Sequence, residues 1–324
     1  MSLIYLGQKL TIYGGFPTLI MGIIGQILNI IVFCSLRTFR ESSCAFYLTI
    51  MSFVNIGQLL FGLFFRIMMV GFDMDWGTMS VTLCKFRSTL FVFCSLMSYT
   101  CLCLAMIDQY FATSTRQRWQ KWSNIKIAHY LMVLFTIIWS LHMILYVITT
   151  EQIISSITGK VTCVAPDHNI ANYRYYFIVL CITGYLPDTI TVLFGILAYR
   201  NIQQIAYRTM PLVRRETEKQ LTTMVFTQVL INIITNIPFV TLTAVSTAIN
   251  DSVIDAIVLQ RIQFIYTIAT ILFYTYFAIS FYIYVCVSER FRRQFLYVLF
   301  LLYRNQCRKT QLVVNNQIFP IQSQ

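Results

Sequence analysis

Charge is scarce in this chain of 324 residues: Asp, Glu, Lys and Arg make up 11% of it, against 57% hydrophobic residues. A soluble domain carries about 25% charged residues, because a water-facing surface needs them. The shortage excludes a cytosolic enzyme, a disordered regulator and a secreted disulfide scaffold. Proline (6) and glycine (12) are also few, which excludes collagen-like and low-complexity classes. The three histidines, His129, His142 and His168, are too scattered to form a metal cluster. What is abundant is apolar sequence, with a mean hydropathy of +0.68. These features imply a polytopic membrane protein. The ten cysteines do not make a disulfide framework in so long a chain; Cys34, Cys94, Cys101, Cys103 and Cys181 sit in apolar runs and read as small packing residues.

A helix needs about 20 apolar residues to cross the hydrocarbon core. Seven stretches qualify, approximately 13–36, 44–70, 82–108, 126–149, 173–199, 221–248 and 257–286. None shows the period-two alternation of a membrane barrel. The predicted fold is therefore all-α, a seven-transmembrane helix bundle over residues 1–310, with a short cytoplasmic tail at 311–324. The first run is too long for a removable signal peptide and has no A-x-A-like site after a short core. Spans one to three do not echo five to seven, which argues against an inverted-repeat transporter.

The net charge of +12 is read through membrane sidedness rather than nucleic acid. With the N-terminus outside, Lys9, Arg66, Lys85, Arg87, Lys160, Arg174 and Arg261 fall at or near the outer side, leaving 17 of the 24 basic residues in the cytoplasm. The expected place is the plasma membrane, N-terminus extracellular and C-terminus cytoplasmic. Asn250-Asp251-Ser252 is a glycosylation sequon that this topology puts outside. Cys84 and Cys163 share the oxidising side. After span seven, about 288–302 reads as an amphipathic helix on the inner leaflet, with Phe291, Phe295 and Leu296 on one face and Arg292 and Arg293 flanking. Cys307 beyond it either carries a palmitoyl chain or stays an unmodified thiol.

These landmarks, in this order, resemble rhodopsin-like (class A) G-protein-coupled receptors from span one to the helix after span seven. Asn29 resembles the family's span-one asparagine, an interhelical hydrogen-bonding residue. Asn55 stands where the family has its span-two aspartate, so no strong sodium site is expected. Trp76 with Gly77 resembles the first-outer-loop tryptophan, and Trp139 the span-four tryptophan, a packing anchor. Cys84 and Cys163 resemble the pair that ties span three to the second outer loop. Pro187 and Pro238 match the prolines of spans five and six, where each allows a kink.

Asp108-Gln109-Tyr110, with Asp108 standing 24 residues after Cys84, occupies the D-R-Y position with glutamine for arginine. Glu218, 20 residues before Pro238, matches the span-six acid. The resemblance implies a Gln109–Glu218 contact weaker than the usual ion pair, altered coupling to a heterotrimeric G protein, or both; the other reading is a decayed motif. Tyr284 is kept from N-P-x-x-Y, and Phe291 follows with six residues between. Thr235-Asn236-Ile237-Pro238 replaces C-W-x-P, and Gly195 stands where many relatives have tyrosine. Eroded switches on a kept scaffold resemble divergent invertebrate receptors, chemosensory or peptide-sensing.

Phe91 takes the place of the aspartate that pairs amine ligands, so a monoamine is not expected. No lysine lies between Lys219 and Lys309, which excludes a retinal Schiff base in span seven. The expected ligand is extracellular, a peptide or a small chemosensory molecule, and no cofactor is implied. Arg66, Arg87, Phe91 and Tyr274 are candidate pocket residues. If Arg66 and Arg87 face inward they can recognise a carboxylate or other anion; the alternative is snorkelling to headgroups, favoured for Arg261. Asp188 is the one acid deep in a span. It can pair a polar neighbour, hold a proton or face water. The competing function is a transporter or channel, which would need more in-span polar groups than Asp188. An intramembrane enzyme is not expected, since neither an aspartate pair nor a G-x-S-x-G serine beside His142 is present.

Overall fold

The computed structural model describes residues 3–35, 37–74, 79–154, 161–205, 212–250, 256–300 and 304. Among them, seven helices are long and apolar enough to cross a membrane. They are α1 (Leu3–Ser35), α2 (Ser43–Gly71), α3 (Val81–Thr113), α4 (Ile125–Ile148), α5 (His168–Gln203), α6 (Leu212–Asn250) and α7 (Ala256–Val287). An eighth helix, α8, follows over 289–300. The protein is an all-α seven-helix bundle and a multi-pass membrane protein. Each expected span lies within one of these helices or within a residue of its ends. α1 begins ten residues before the expected start of span one: Leu3–Ile12 carries no proline or acid and continues the helix.

The helix starts have local causes. Ser42 caps α2 through Ala45 N, Asn124 caps α4 through Lys126 N, and Asp167 caps α5 through Asn169 N and Ile170 N. Such side chains satisfy amide donors that have no partner inside the helix. A two-stranded hairpin, which the sequence did not announce, joins α4 to α5: β1 (Glu151–Ile154) pairs antiparallel with β2 (Val161–Val164), Gln152 opposite Cys163.

α3 is the axis of the bundle and α4 its periphery: 67% of the most apolar window of α3 is buried, but 11% of that of α4. α4 turns Val133, Leu134, Ile137, Leu141, Ile144 and Ile148 outward. A contiguous apolar face of that kind fits hydrocarbon rather than water. Cys34 and Cys181 are also exposed, so unlike the buried Cys94 and Cys101 they are not interior packing residues.

α1 packs chiefly against α7, and small residues let the two approach. At Gly22 an added Cβ would lie 2.7 Å from Leu59 Cδ1 and 2.8 Å from Ala278 Cβ. Close small-residue contacts replace the hydrophobic effect between helices in lipid, where tails are as apolar as leucine. Gly22→Ala is therefore expected to lower the melting temperature of the detergent-purified protein, at about 1–3 kcal/mol for overpacking. An unchanged melting curve would show that the interface yields without strain.

α8 is held by Phe291, which is fully buried among Phe33, Phe39, Phe281 and Tyr284, with ring centroids 5.7–6.5 Å away. Phe295 packs on Phe281 as well. Leu296 does not share that face: it is 62% exposed, because the bundle side of so short a helix is already filled by Phe291 and Phe295. Arg292 donates to the carbonyls of Val285 and Cys286, satisfying the end of α7. Residues 301–302 of the expected helix, Cys307 and the tail 311–324 lie outside the described residues.

Candidate functional site

At the end of the bundle where α2, α4 and α6 finish and α3, α5 and α7 begin, the helices enclose a cavity of about 470 Å³. That lies within the range that takes a drug-sized molecule. Arg66, Arg87, Phe91 and Tyr274 all line it. The two arginines therefore face inward rather than snorkelling. Arg66 Cζ lies 5.3 Å from the centroid of the Tyr266 ring, and Arg87 Cζ 5.1 Å from that of Phe65. Arg66 stands between two π-helical stretches of α2, Leu59–Phe64 and Ile67–Gly71. Arg261 is not among the cavity residues.

The Cys84–Cys163 disulfide is formed, with Cα atoms 5.9 Å apart. Cys163 lines the cavity, so the bond fixes the β1–β2 hairpin at its mouth. Arg174, at the start of α5, makes a second tie there. Its Nη2 donates to Tyr146 O, Thr149 Oγ1 and Thr150 Oγ1, and its guanidinium lies 3.8 Å over the Tyr146 ring. Nothing in the residue pattern marked Arg174 as an α4–α5 clamp, since its partners are a carbonyl and two threonines.

The cavity floor is polar and connects three helices. Asn236 of α6 lines the cavity, accepts from Tyr99 Oη of α3 at 3.1 Å and donates to Thr183 O of α5 at 3.1 Å. Thr183 O is available because Pro187, four residues on, has no N–H to give it. Asp188 completes the set: its Oδ1 accepts from Asn232 Nδ2 at 2.6 Å and its Oδ2 from Asn236 Nδ2 at 3.4 Å. Asp188 is thus a hydrogen-bonded partner of two α6 asparagines, one turn apart on the same face. Asn236 stands two residues before Pro238. The backbone of α5 adapts to Pro187 through a π-helical stretch, Tyr173–Tyr185, just before it.

A second polar layer lies deeper. Gln26 and Asn29 of α1 both donate to Ser280 Oγ of α7, at 2.8 and 3.0 Å, and Gln26 also reaches Phe277 O. This is the interhelical bonding expected of Asn29. Asn55 of α2 accepts from Ser98 Oγ of α3 at 2.7 Å. Trp139 packs on α3 and also donates Nε1 to Thr100 Oγ1 at 3.0 Å, so it is more than a packing anchor.

At the opposite end, Asp108 accepts two contacts from Ser43 Oγ, at 2.7 and 2.8 Å, which tie α3 to α2. Gln109 does not meet Glu218 as expected. Its Oε1 accepts from Thr222 Oγ1 at 2.6 Å, and its Nε2 has no hydrogen-bond partner among the described residues. An amide lacks the full charge that makes an arginine–carboxylate pair strong, and the Thr222 hydroxyl, one turn further along α6, occupies its oxygen. Tyr110 sits in an aromatic cluster with Phe111, Trp119 and Phe194. Tyr284 is fully buried, and its hydroxyl has no partner among the described residues. Ser288 ties the end of α7 to α6 through Gln220, at 3.1 Å.

Pro238 lies inside α6, and Pro187 near the start of the α-helical part of α5. The side chain of Asn250, together with Asp251 and Ser252, lies outside the described residues, as do Trp76 and Gly77. Compared with protein-family models and with curated proteins, the chain matches none, and what the geometry itself establishes is a polytopic membrane protein with a disulfide-tethered cavity at one end of seven helices.

Proposed function

We propose that the protein is a signalling receptor of the rhodopsin-like seven-helix kind, in which an extracellular ligand enters the cavity and shifts the bundle toward an arrangement that engages a cytoplasmic G protein. The observation that carries this reading is the floor of the cavity. Asn236, on the proline-bearing α6, lies against the ligand space and is bonded to α3 and α5. A ligand that favours a different Asn236 geometry would bias α6 over its whole length, and a ligand shifts an equilibrium only through such differential contacts. The disulfide lies at the cavity end, which supports placing that end in an oxidising, extracellular compartment. The opposite end carries Arg116, Arg118 and Lys121 between α3 and α4 and Lys126 in the first turn of α4, as a cytoplasmic face should. The receptor would sit in the plasma membrane with its C-terminus inside. The Gln109–Thr222 bond joins α3 to α6 beside that face and serves as a light resting latch.

The test is G-protein recruitment in transfected cells, with Gln109→Arg beside wild type. Arginine cannot accept from Thr222, so the latch is lost. At about 1 kcal/mol for a neutral hydrogen bond, the resting-to-active ratio moves roughly fivefold, and basal recruitment should change by that order. A transporter or channel is the competing reading. Solute or ion flux in vesicles carrying the purified protein, with no recruitment in either form, would decide for it.

A further inference from the structure

We propose, resting on the receptor reading only for the meaning of the signal, that the cavity binds a small amphipathic carboxylate, its anionic head at Arg66 and its apolar body along the aromatic wall of α6 and α7. Arg66 makes no hydrogen bond or ion pair among the described residues, and its Nε is buried without a partner. A guanidinium inside a membrane bundle is costly unless something answers its charge. None of the described cavity residues is acidic, and a second arginine, Arg87, lines the same space. Among the described residues, the wall therefore sets the Arg66 cation in this cavity with no acidic residue beside it. A planar fork of N–H donors fits a carboxylate better than a point charge does.

The rest of the wall defines the body of the ligand. Tyr266, over which Arg66 lies, stacks against Phe239 at 6.0 Å, and Phe239 against Phe273 at 4.1 Å. These rings run from the arginine toward the floor, and Phe91 lines the cavity as well. An aromatic or medium-length aliphatic group fits that surface, whereas a zwitterion with a charged tail would leave the tail against rings. Phe239 follows Pro238 directly and stands three residues after Asn236, so a body resting there touches the segment of α6 that the floor network holds. A volume of about 470 Å³ suits such a compact molecule.

The experiment is binding to the purified protein in lipid nanodiscs, read by calorimetry and by ligand-induced shift in melting temperature. The probes are phenylalkanoates and medium-chain fatty acids, each beside its primary amide and its amine. The carboxylates are expected to bind, with the amides at least tenfold weaker and the amines silent. Arg66→Met should weaken carboxylate binding by about 10- to 100-fold, the size of one charge-assisted contact, with Arg66→Lys between. Arg66→Met should not markedly lower the melting temperature without ligand, because it removes a half-buried cation that makes no hydrogen bond or ion pair among the described residues. Equal binding of carboxylate and amide, unaltered carboxylate affinity in Arg66→Met, or no binding by any carboxylate would overturn the proposal. Binding without G-protein recruitment would leave this assignment standing and count against the receptor reading, so the two fail separately.

Discussion

Asp188→Ala is expected to be among the most damaging single substitutions in the bundle, while Asp188→Asn is expected to be mild. The alanine variant removes both carboxylate oxygens. Asn232 Nδ2 loses the acceptor it holds at 2.6 Å, and Asn236 Nδ2 keeps only Thr183 O. A buried donor left without an acceptor costs about 1–3 kcal/mol, and the lost side chain leaves a void beside α6 as well. Interhelical hydrogen bonds in membrane proteins often measure near 0.6 kcal/mol, because the loosened helices find other partners. The larger figure applies here, since Asn232 is fully buried and no second acceptor among the described residues is bonded to its Nδ2. Asp188→Asn keeps an amide oxygen for Asn232 and should lose less than about 1 kcal/mol. Melting curves of the detergent-purified variants separate the two, with roughly 4–8 °C expected for alanine. If asparagine were as harmful as alanine, the charge itself would matter. That result would favour an ion or proton path through the bundle over the receptor reading.

Cys84→Ser should reduce cell-surface protein several-fold. The bond closes a loop across a sequence separation of 79 residues, and restricting the unfolded chain over such a loop contributes about 4–5 kcal/mol in the chain-entropy account. Measured losses for native disulfides span about 2–5 kcal/mol, and a change of 1–2 kcal/mol already alters cellular abundance several-fold. Cys163→Ser should match it, and the double variant should be no worse than either single one, because both act through one bond. Surface labelling of intact cells measures all three. Losses that add in the double variant would show that the thiols act separately. Ligand binding should suffer beyond abundance, since Cys163 lines the cavity and the bond holds the hairpin at its mouth.

Much of the architecture was legible in the residues because the bilayer is a simple solvent. A helix must be long and apolar to cross it, and that requirement leaves its mark on each span separately. The inward placement of Arg66 and Arg87 was legible only as one of two options, since a long basic side chain reaches headgroups as easily as a cavity. The structure decided it, since both arginines line the cavity, beside the rings of Tyr266 and Phe65. Gln109 shows the opposite outcome. The resemblance implied a contact with Glu218, but the residue bonded to Gln109 is Thr222, one turn further along α6, and which residue of α6 faces α3 is set by helix rotation.

The sequence by itself determined that there are seven crossings, which end of the bundle is the more basic, and that Asp188 is an acid set among apolar neighbours. These are properties of composition along the chain, and local chemistry suffices to read them. Only the tertiary structure decided that Asp188 is bonded to two α6 asparagines, that Asn236 floors the cavity and that Gln26 and Asn29 share Ser280. Each of those contacts joins residues at least 44 positions apart. Their partners are set by how the helices rotate and approach, which packing fixes and periodicity does not.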